Sequence, residues 1–169
     1  FGIPFEGMSL VPDEKLPAIL LVDDQELNLK LMAAVLDDLR CEVVSSTSGR
    51  EALRMLGERE FALVLLDVRM PDMDGFTVAR HVRESPSSQT IPIIFITGAT
   101  NSEESLFRGY ESGAVDVLFK PVNTTILASK VQIFLDLHQN KKELERLVRA
   151  REQALAELDA FSYSVSHDL

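Results

Sequence analysis

The stretch Ala18-Ile19-Leu20-Leu21-Val22-Asp23-Asp24 joins a continuous aliphatic run to two carboxylates. Apolar character on consecutive residues, rather than on alternate ones, indicates a strand buried on both faces, as in the middle of a parallel sheet. Three later apolar runs also end in a polar group, here an acid, a hydroxyl and an ammonium: Phe61 to Leu66 before Asp67, Ile91 to Ile96 before Thr97, and Ala114 to Phe119 before Lys120.

The pattern between residues 18 and 122 alternates strand and helix, which predicts an α/β fold with a five-stranded, doubly wound parallel sheet. Such sheets bind ligands at the carboxyl ends of their strands. The predicted strands are Ala18–Asp23, Cys41–Ser46, Phe61–Asp67, Ile91–Thr97 and Ala114–Phe119, and the helical patterns cover residues 27–38, 51–56, 76–82 and 102–110, the last with a possible capping box from Thr100 to Glu103.

Composition limits the function classes. A chain of 169 residues suits one domain with an appendage, and a net charge of -10 argues against a nucleic-acid-binding surface. Cys41 is the single cysteine, so an internal disulfide framework is excluded and a reducing, cytoplasmic setting is expected. No apolar run approaches the roughly 20 residues that span a bilayer, so we expect no membrane contact for this segment. Residues 1–17 are predicted to be a flexible leader.

Parallel strands bring Asp23, Asp24, Asp67, Thr97 and Lys120 to one edge of the sheet. Each feature alone has an ordinary explanation, because an Asp-Asp pair is often a helix cap and a single Asp is often a turn former. Together, three carboxylates would repel one another and call for a cation, and Mg²⁺ prefers oxygen ligands.

The expected roles follow from this chemistry. Asp24 and Asp67 are the predicted direct ligands, Asp23 would hold a metal-bound water, and the main-chain carbonyl of Arg69 would complete the protein ligands. Asp67 is also the predicted nucleophile for a phosphoryl group, whose charge Lys120 would counter while Thr97 donates a hydrogen bond.

Residues 18–122 resemble a two-component response-regulator receiver domain. The motifs that carry the resemblance are Val22-Asp23-Asp24, Leu66-Asp67-Val68-Arg69-Met70-Pro71-Asp72-Met73-Asp74-Gly75, Ile96-Thr97-Gly98-Ala99, Gly113-Ala114-Val115-Asp116 and Phe119-Lys120-Pro121.

The resemblance implies a flavodoxin-like sheet of order 2-1-3-4-5, phosphorylation of Asp67 by the phosphohistidine of a kinase or phosphotransfer protein, Mg²⁺ at Asp23 and Asp24, and a cis Lys120–Pro121 bond. One position departs from the family pattern, because Val117 stands where the family usually has the aromatic residue of its switch. Signalling through the Thr97 loop, the fourth helix and the long C-terminal helix is the expected replacement.

Residues 124–169 contain no Pro or Gly and predict one long helix. Apolar residues recur in a heptad register, which predicts a coiled coil that makes the chain a homodimer, with residues 123–160 as the linker. Asn140 and Arg151 interrupt this seam. A single amphipathic helix folded back on the domain is the alternative. The seam consists of Leu137, Leu144, Leu147, Ala154, Leu158, Phe161 and Val165.

Residues 161–169, Phe-Ser-Tyr-Ser-Val-Ser-His-Asp-Leu, resemble the start of the phosphoacceptor box of a dimeric sensor histidine kinase. His167 falls two positions past a seam residue and is predicted to face solvent, as a phosphoacceptor imidazole must, with Asp168 beside it to orient the ring. The chain contains no Gly-rich phosphate loop. We therefore expect a fragment of a receiver-containing hybrid kinase, without kinase activity of its own.

Two other functions remain open at this stage. The first is a receiver that serves as an interaction module whose coiled coil controls a different output domain. An aspartyl-phosphate hydrolase on a similar sheet is disfavoured, because such an enzyme would want a carboxylate two positions after the nucleophile, where this chain has Arg69.

Overall fold

The computed structural model describes residues 15–98 and 103–167. Most of the predicted leader lies outside these ranges, as do Thr100 of the predicted capping box and Asp168. Five strands alternate with five helices: β1 (Ala18–Val22), α1 (Glu26–Leu36), β2 (Glu42–Ser46), α2 (Gly49–Glu58), β3 (Leu63–Asp67), α3 (Gly75–Glu84), β4 (Ile93–Thr97), α4 (Glu103–Glu111), β5 (Asp116–Phe119) and α5 (Thr124–His167).

The strands form one parallel sheet in the order β2-β1-β3-β4-β5. The predicted fold and strand order are confirmed, although the strands begin up to two residues later than predicted. Every residue of β1, β3 and β4 is buried, as their uninterrupted aliphatic character requires.

Helices cover both faces of the sheet. On one face α2 and α3 pack against β1, β3 and β4 through Ala52, Leu56 and Val78. On the other face α1 and the first part of α5 pack against the same strands through Leu36 and Val131. This sandwich leaves the strand ends as the accessible part of the sheet, where loops can place polar side chains.

Arg83 joins three segments at the amino-terminal edge of the sheet. Its guanidinium donates to the carbonyl oxygens of Gln89 (3.0 Å), Ile91 (2.8 Å) and Gly113 (2.7 Å from Nη2). Burial, which disfavours the charged form, lowers its pKa. The side chain therefore connects the end of α3 to the loops that precede β4 and β5.

Helix α5 is continuous over 44 residues. Leu127, Val131 and Leu135 are its buried residues, and Lys142 forms an ion pair with Glu60 in the α2–β3 loop. Beyond Lys142 the helix leaves the domain, so it does not fold back along its whole length. The seam side chains that the sequence predicts are exposed by 46% to 67% at Leu137, Leu144, Leu147, Leu158, Phe161 and Val165. No helix within residues 15–98 and 103–167 has the length and apolarity of a membrane span.

Candidate functional site

The predicted polar side chains meet at the carboxyl edge of the sheet. Asp67 and Thr97 are the last residues of β3 and β4, Asp23 and Asp24 follow β1, and Lys120 follows β5. Parallel pairing of β1 with β3, of β3 with β4 and of β4 with β5 places these strand ends side by side. The predicted convergence is therefore present.

Three carboxylates form the centre of the site. Asp23, Asp24 and Asp67 each offer one oxygen atom, and these atoms lie within 4.8 Å of one another. Asp23 is fully buried and Asp67 is 5% exposed, whereas Asp24 retains access to solvent. An all-oxygen donor set of this charge fits Mg²⁺, which neutralises clustered carboxylates and prefers oxygen ligands.

Asp23 is buried as a carboxylate because donors surround it. The main-chain N–H of Gln25 donates to Oδ1 (2.9 Å), Asn28 Nδ2 donates to Oδ2 (3.1 Å), and Lys120 Nζ donates to Oδ2 (3.0 Å). Hydrogen bonds to charged groups are the strong ones, and they offset the cost of removing the carboxylate from water.

The sequence reasoning missed Asn28. It used the apolar positions of α1 and ignored the polar residue in the first turn, five residues after Asp23. A polar side chain in the first turn of a helix that starts just after the acidic pair is the signal that could have found it.

Asp67 has a pKa that burial raises above its ordinary value. Lys120 Nζ, 3.6 Å from Asp67 Oδ1, opposes the rise, and the negative charges of Asp23 and Asp24 add to it. The N–H of Arg69 donates to Asp67 Oδ1 at 3.4 Å. Burial is therefore the main cause of the raised pKa of Asp67, and Lys120 only partly opposes it.

The loop after Asp67 turns tightly into α3. Asp72 has a left-handed backbone (φ 67°), and Asp74 caps the helix by accepting a hydrogen bond from Thr77 N at 2.8 Å. A Cβ on Gly75 would lie 2.9 Å from Val68 Cα and closer still to the carbonyl oxygen of Asp67. Only glycine fits there, and its N–H donates to Val68 O. The tight turn holds the Arg69 segment beside the acidic site.

Thr97 and Lys120 lie on the other side of Asp67. Thr97 is buried, and the Lys120 N–H donates to the Thr97 carbonyl oxygen at 2.8 Å, which continues the β4–β5 pairing into the site. The Lys120–Pro121 peptide bond is cis, as the resemblance implies. Of the loop that follows Thr97, residues 99–102 lie outside the described ranges.

Val117 lies in β5 beside a cleft of about 720 Å³ that also reaches Asp24 and Thr97. Two aromatic rings line this cleft from the other strands and helices, because Phe76 meets Phe95 edge to face with ring centroids 5.2 Å apart. The Arg108 guanidinium lies over the Phe76 ring at 4.6 Å. The aromatic side chains of this cleft therefore come from α3 and β4. Val117 occupies the position in β5 where the family usually has its aromatic switch residue.

His167 is remote from the acidic site. It ends α5 as an exposed residue, with its ring centroid 4.1 Å from that of Tyr163, one helical turn earlier. The structure therefore brings together the five predicted polar side chains at the sheet edge and places the sixth predicted reactive group elsewhere.

Comparison with known proteins agrees with this geometry. The chain is 38% identical over 130 residues to a protein of Vibrio cholerae described as a probable cyclic di-GMP phosphodiesterase, which covers 77% of this chain and 28% of that protein. It is 32% identical over 116 residues to hybrid signal transduction histidine kinase L of Dictyostelium discoideum, which covers 66% of this chain and 7% of that protein. The chain thus spans a minor part of these relatives.

Among solved structures, the chemotaxis protein CheY4 of Vibrio cholerae superposes with a TM-score of 0.65 at 32% identity, covering 70% of this chain and 98% of that one. The family model of the response regulator receiver domain matches residues 19–132, which contain all three carboxylates of the acidic site and the whole sheet apart from Ala18. The chain therefore belongs to the response regulator receiver domain family.

Proposed function

We propose that this chain is the phosphoacceptor module of a two-component phosphorelay and is phosphorylated on Asp67 with the help of Mg²⁺. The observation that carries the proposal is the grouping of three carboxylates within 4.8 Å of one another, with Lys120 3.6 Å from Asp67. Asp67 is the proposed nucleophile because it ends β3, is followed by a tight turn, and has Lys120 beside it to counter the charge of a phosphoryl group.

The other polar groups of the site have proposed roles in binding the metal and the phosphoryl group. Asp24, Asp67 and the Arg69 carbonyl oxygen would ligate Mg²⁺, and Asp23 would hold one of its waters. When bound, the metal neutralises charge on the transferring phosphoryl oxygens. Lys120 already contacts Asp23 and Asp67, so its ammonium group can pair with the negative charge that a phosphoryl group adds. Thr97, at the end of β4, would donate a hydrogen bond from its hydroxyl to the phosphoryl group.

A small phosphodonor tests this step. The chain is incubated with phosphoramidate and Mg²⁺, and intact-mass spectrometry measures the phosphoryl adduct. We expect an adduct that peptide mapping places on the Asp67 peptide and that is absent there with EDTA and in Asp67→Asn. Asp72→Asn is the matched control, because Asp72 is exposed in the same loop and Asn tolerates its left-handed backbone. An adduct that survives in Asp67→Asn would refute the assignment of the nucleophile.

We further propose that α5 pairs with a second copy as a coiled coil. Its support is the heptad register together with the exposure of the seam residues beyond the domain. Asn140 and Arg151 in the seam would bring two helical registers closer in energy, which a phosphorylation-driven switch requires. The output is then a change in coiled-coil packing.

Sedimentation measures this pairing. Leu158→Glu places a charge on the seam and should shift the chain to monomer, whereas Ala156→Glu, on the opposite face of the same helix turn, should not. A wild-type chain that remains monomeric at high micromolar concentration would count against the coiled coil.

The proposed output is a histidine-kinase core that α5 leads into, with His167 as its phosphoacceptor. The support is the resemblance of residues 161–169 to a phosphoacceptor box, the exposure of His167, and the hybrid kinase among the relatives. The test compares the amounts of phosphohistidine that form at His81, His138 and His167. We expect phosphohistidine to form selectively at His167 and to be lost in His167→Gln.

A second candidate is a receiver whose coiled coil controls a different output domain. The similarity to a protein described as a probable cyclic di-GMP phosphodiesterase favours it. Phosphorylation of Asp67 that changes the dimer, without any selective reactivity of His167, would support this function over the kinase.

A further inference from the structure

A cleft of about 630 Å³ lies at the amino edge of the sheet, at the opposite end of the strands from the acidic site. Its floor is apolar, because Phe61 and Ile91 reach it from the loops before β3 and β4, and Phe134 reaches it from α5. Pockets of this size with an apolar floor and a few polar groups are typical of binding sites. The proposed phosphoryl chemistry uses none of the residues of this amino-edge cleft.

The rim of the amino-edge cleft carries a basic group that the domain leaves without an acidic partner. Glu58 lines the cleft but pairs with Arg54, which lies outside it. Glu60 also lines the cleft and pairs with Lys142, again outside it. Lys141 lines the cleft and enters no ion pair in the described part of the chain. An acidic ligand would therefore meet an available ammonium group at this rim.

The chain enters the domain beside the same cleft. The N–H of Glu42 donates to the Pro17 carbonyl oxygen at 2.9 Å, and the Glu42 carboxylate pairs with Arg59 at 2.6 Å. The N–H of Ala62 donates to the Ala18 carbonyl oxygen at 2.8 Å. Arg59 and Ala62 both line the cleft, so the residues that precede β1 start at its edge.

Residues 1–14, which precede the described part of the chain, have a composition that suits this cleft. They contain the apolar pair Leu10 and Val11, and they carry acidic residues but no Lys, Arg or His: Glu6, Asp13 and Glu14. Neighbouring strands are about 4.8 Å apart, so the amino end of β4, two strands away, lies about 10 Å from that of β1. The chain from Leu10 to Lys15 can span up to about 17 Å when extended, which is enough to reach across the floor.

We propose that residues 1–14 dock in the amino-edge cleft of their own chain, with Leu10 and Val11 on its apolar floor and Glu6 at Lys141. Because the segment is tethered at the edge of the cleft, its local concentration is high and weak contacts suffice to hold it. The docked segment would replace the flexible leader that the sequence predicts and would cover the last turns of α5 that pack on the domain. A signal that acts on this segment would then reach the helix that leaves the domain, without involving Asp67 or His167.

Tryptophan fluorescence measures this docking, because the chain contains no Trp of its own. Leu10→Trp places an indole ring on the segment, and quenching by acrylamide reports how exposed that ring is to solvent. We expect quenching to be several-fold weaker in the folded chain than in the same chain unfolded in urea. Equal quenching in the two states would overturn the proposal.

Two charge-matched double variants locate the protected indole ring. Thr90→Glu with Lys141→Glu places two carboxylates at exposed positions of the cleft lining and should raise quenching to the value of the unfolded chain. Gln89→Glu with Arg149→Glu makes the same change of charge at exposed positions outside the lining and should leave quenching weak. Thermal unfolding checks that both variants are folded. Protection that survives the first double variant, or is lost equally in both, would exclude the cleft as the docking site.

Photo-crosslinking identifies the contact without any change to the cleft. Benzoylphenylalanine replaces Leu10, and a mixture of ordinary and isotope-labelled chains lets mass spectrometry separate crosslinks within one chain from crosslinks between copies. Crosslinks within one chain to peptides that contain Phe61 or Phe134 would support the docking. Crosslinks confined to other peptides, or formed only between copies, would contradict it.

Discussion

Replacing Asp67 with Asn should stabilise the metal-free protein at neutral pH. The substitution removes two like-charge pairs, with Asp23 and with Asp24, at separations of up to 4.8 Å. At an effective dielectric constant of about 20, each pair costs about 3.5 kcal/mol, while the attraction between Asp67 and Lys120 at 3.6 Å contributes about 4.6 kcal/mol. The balance leaves about 2 kcal/mol of net repulsion in the wild type, which the amide does not carry.

Urea unfolding in EDTA at pH 7 measures the difference, with Asp72→Asn as the control that should match wild type. Mg²⁺ should offset most of this difference. At about ten times its dissociation constant it would stabilise wild type by about 1.4 kcal/mol through mass action, with a much smaller effect on Asp67→Asn, which has lost a proposed ligand.

The stability difference between wild type and Asp67→Asn should change with pH in a defined direction. Because burial raises the pKa of Asp67 in the folded protein above its unfolded value, the cost of the buried carboxylate is complete above the folded pKa. That cost disappears as the pH falls through the folded pKa towards the unfolded value of about 4. The stability advantage of Asp67→Asn in EDTA should therefore shrink at acidic pH. A variant that is no more stable than wild type at pH 7 in EDTA, or that responds to Mg²⁺ as wild type does, would refute this account of the acidic site.

Three further substitutions test other parts of the structure. Gly75→Ala should lower the free energy of unfolding by about 2–3 kcal/mol because its methyl group meets backbone atoms, whereas Gly57→Ala, which meets nothing within 4 Å, should leave it unchanged or slightly higher in the same urea titration. Arg83→Ala should cost about 2–3 kcal/mol because the part-buried carbonyl groups of Ile91 and Gly113 lose their donor, and equal stability of Arg83→Ala and the exposed-site control Arg80→Ala in thermal unfolding would contradict the bridging role. Asn28→Ala should weaken Mg²⁺ binding about tenfold in a calorimetric titration by loosening the buried carboxylate beside it, and unchanged affinity would show that the amide does not orient the site.

Much of the fold was predictable because its signals are local. A strand buried on both faces must be apolar at consecutive positions, and β1, β3 and β4 show this in the sequence alone. Polar residues that directly follow such strands must lie at one edge of a parallel sheet. The acidic site with Lys120 and Thr97 therefore followed from strand order and chain direction before any distance was measured.

Contacts between distant segments could not be read in the same way. Arg83 bonds to Gly113, 30 residues later, and Lys142 pairs with Glu60, 82 residues earlier. Neither residue stands in a periodic pattern that marks it, because an exposed charge on a helix looks the same as one that reaches another loop. Asn28 was missed for a related reason, since its partner is set by the angle at which α1 leaves the site.

The amino-acid sequence by itself determined the class of fold and the chemistry of its acidic edge, because burial and strand direction act on neighbouring residues. Only the tertiary structure decided where α5 goes. The heptad register favours a coiled coil but leaves open a helix folded on the domain, and the choice depends on which face of the sheet has apolar surface left to cover. Leu127, Val131 and Leu135 cover that surface, and the rest of the helix has no sheet beneath it.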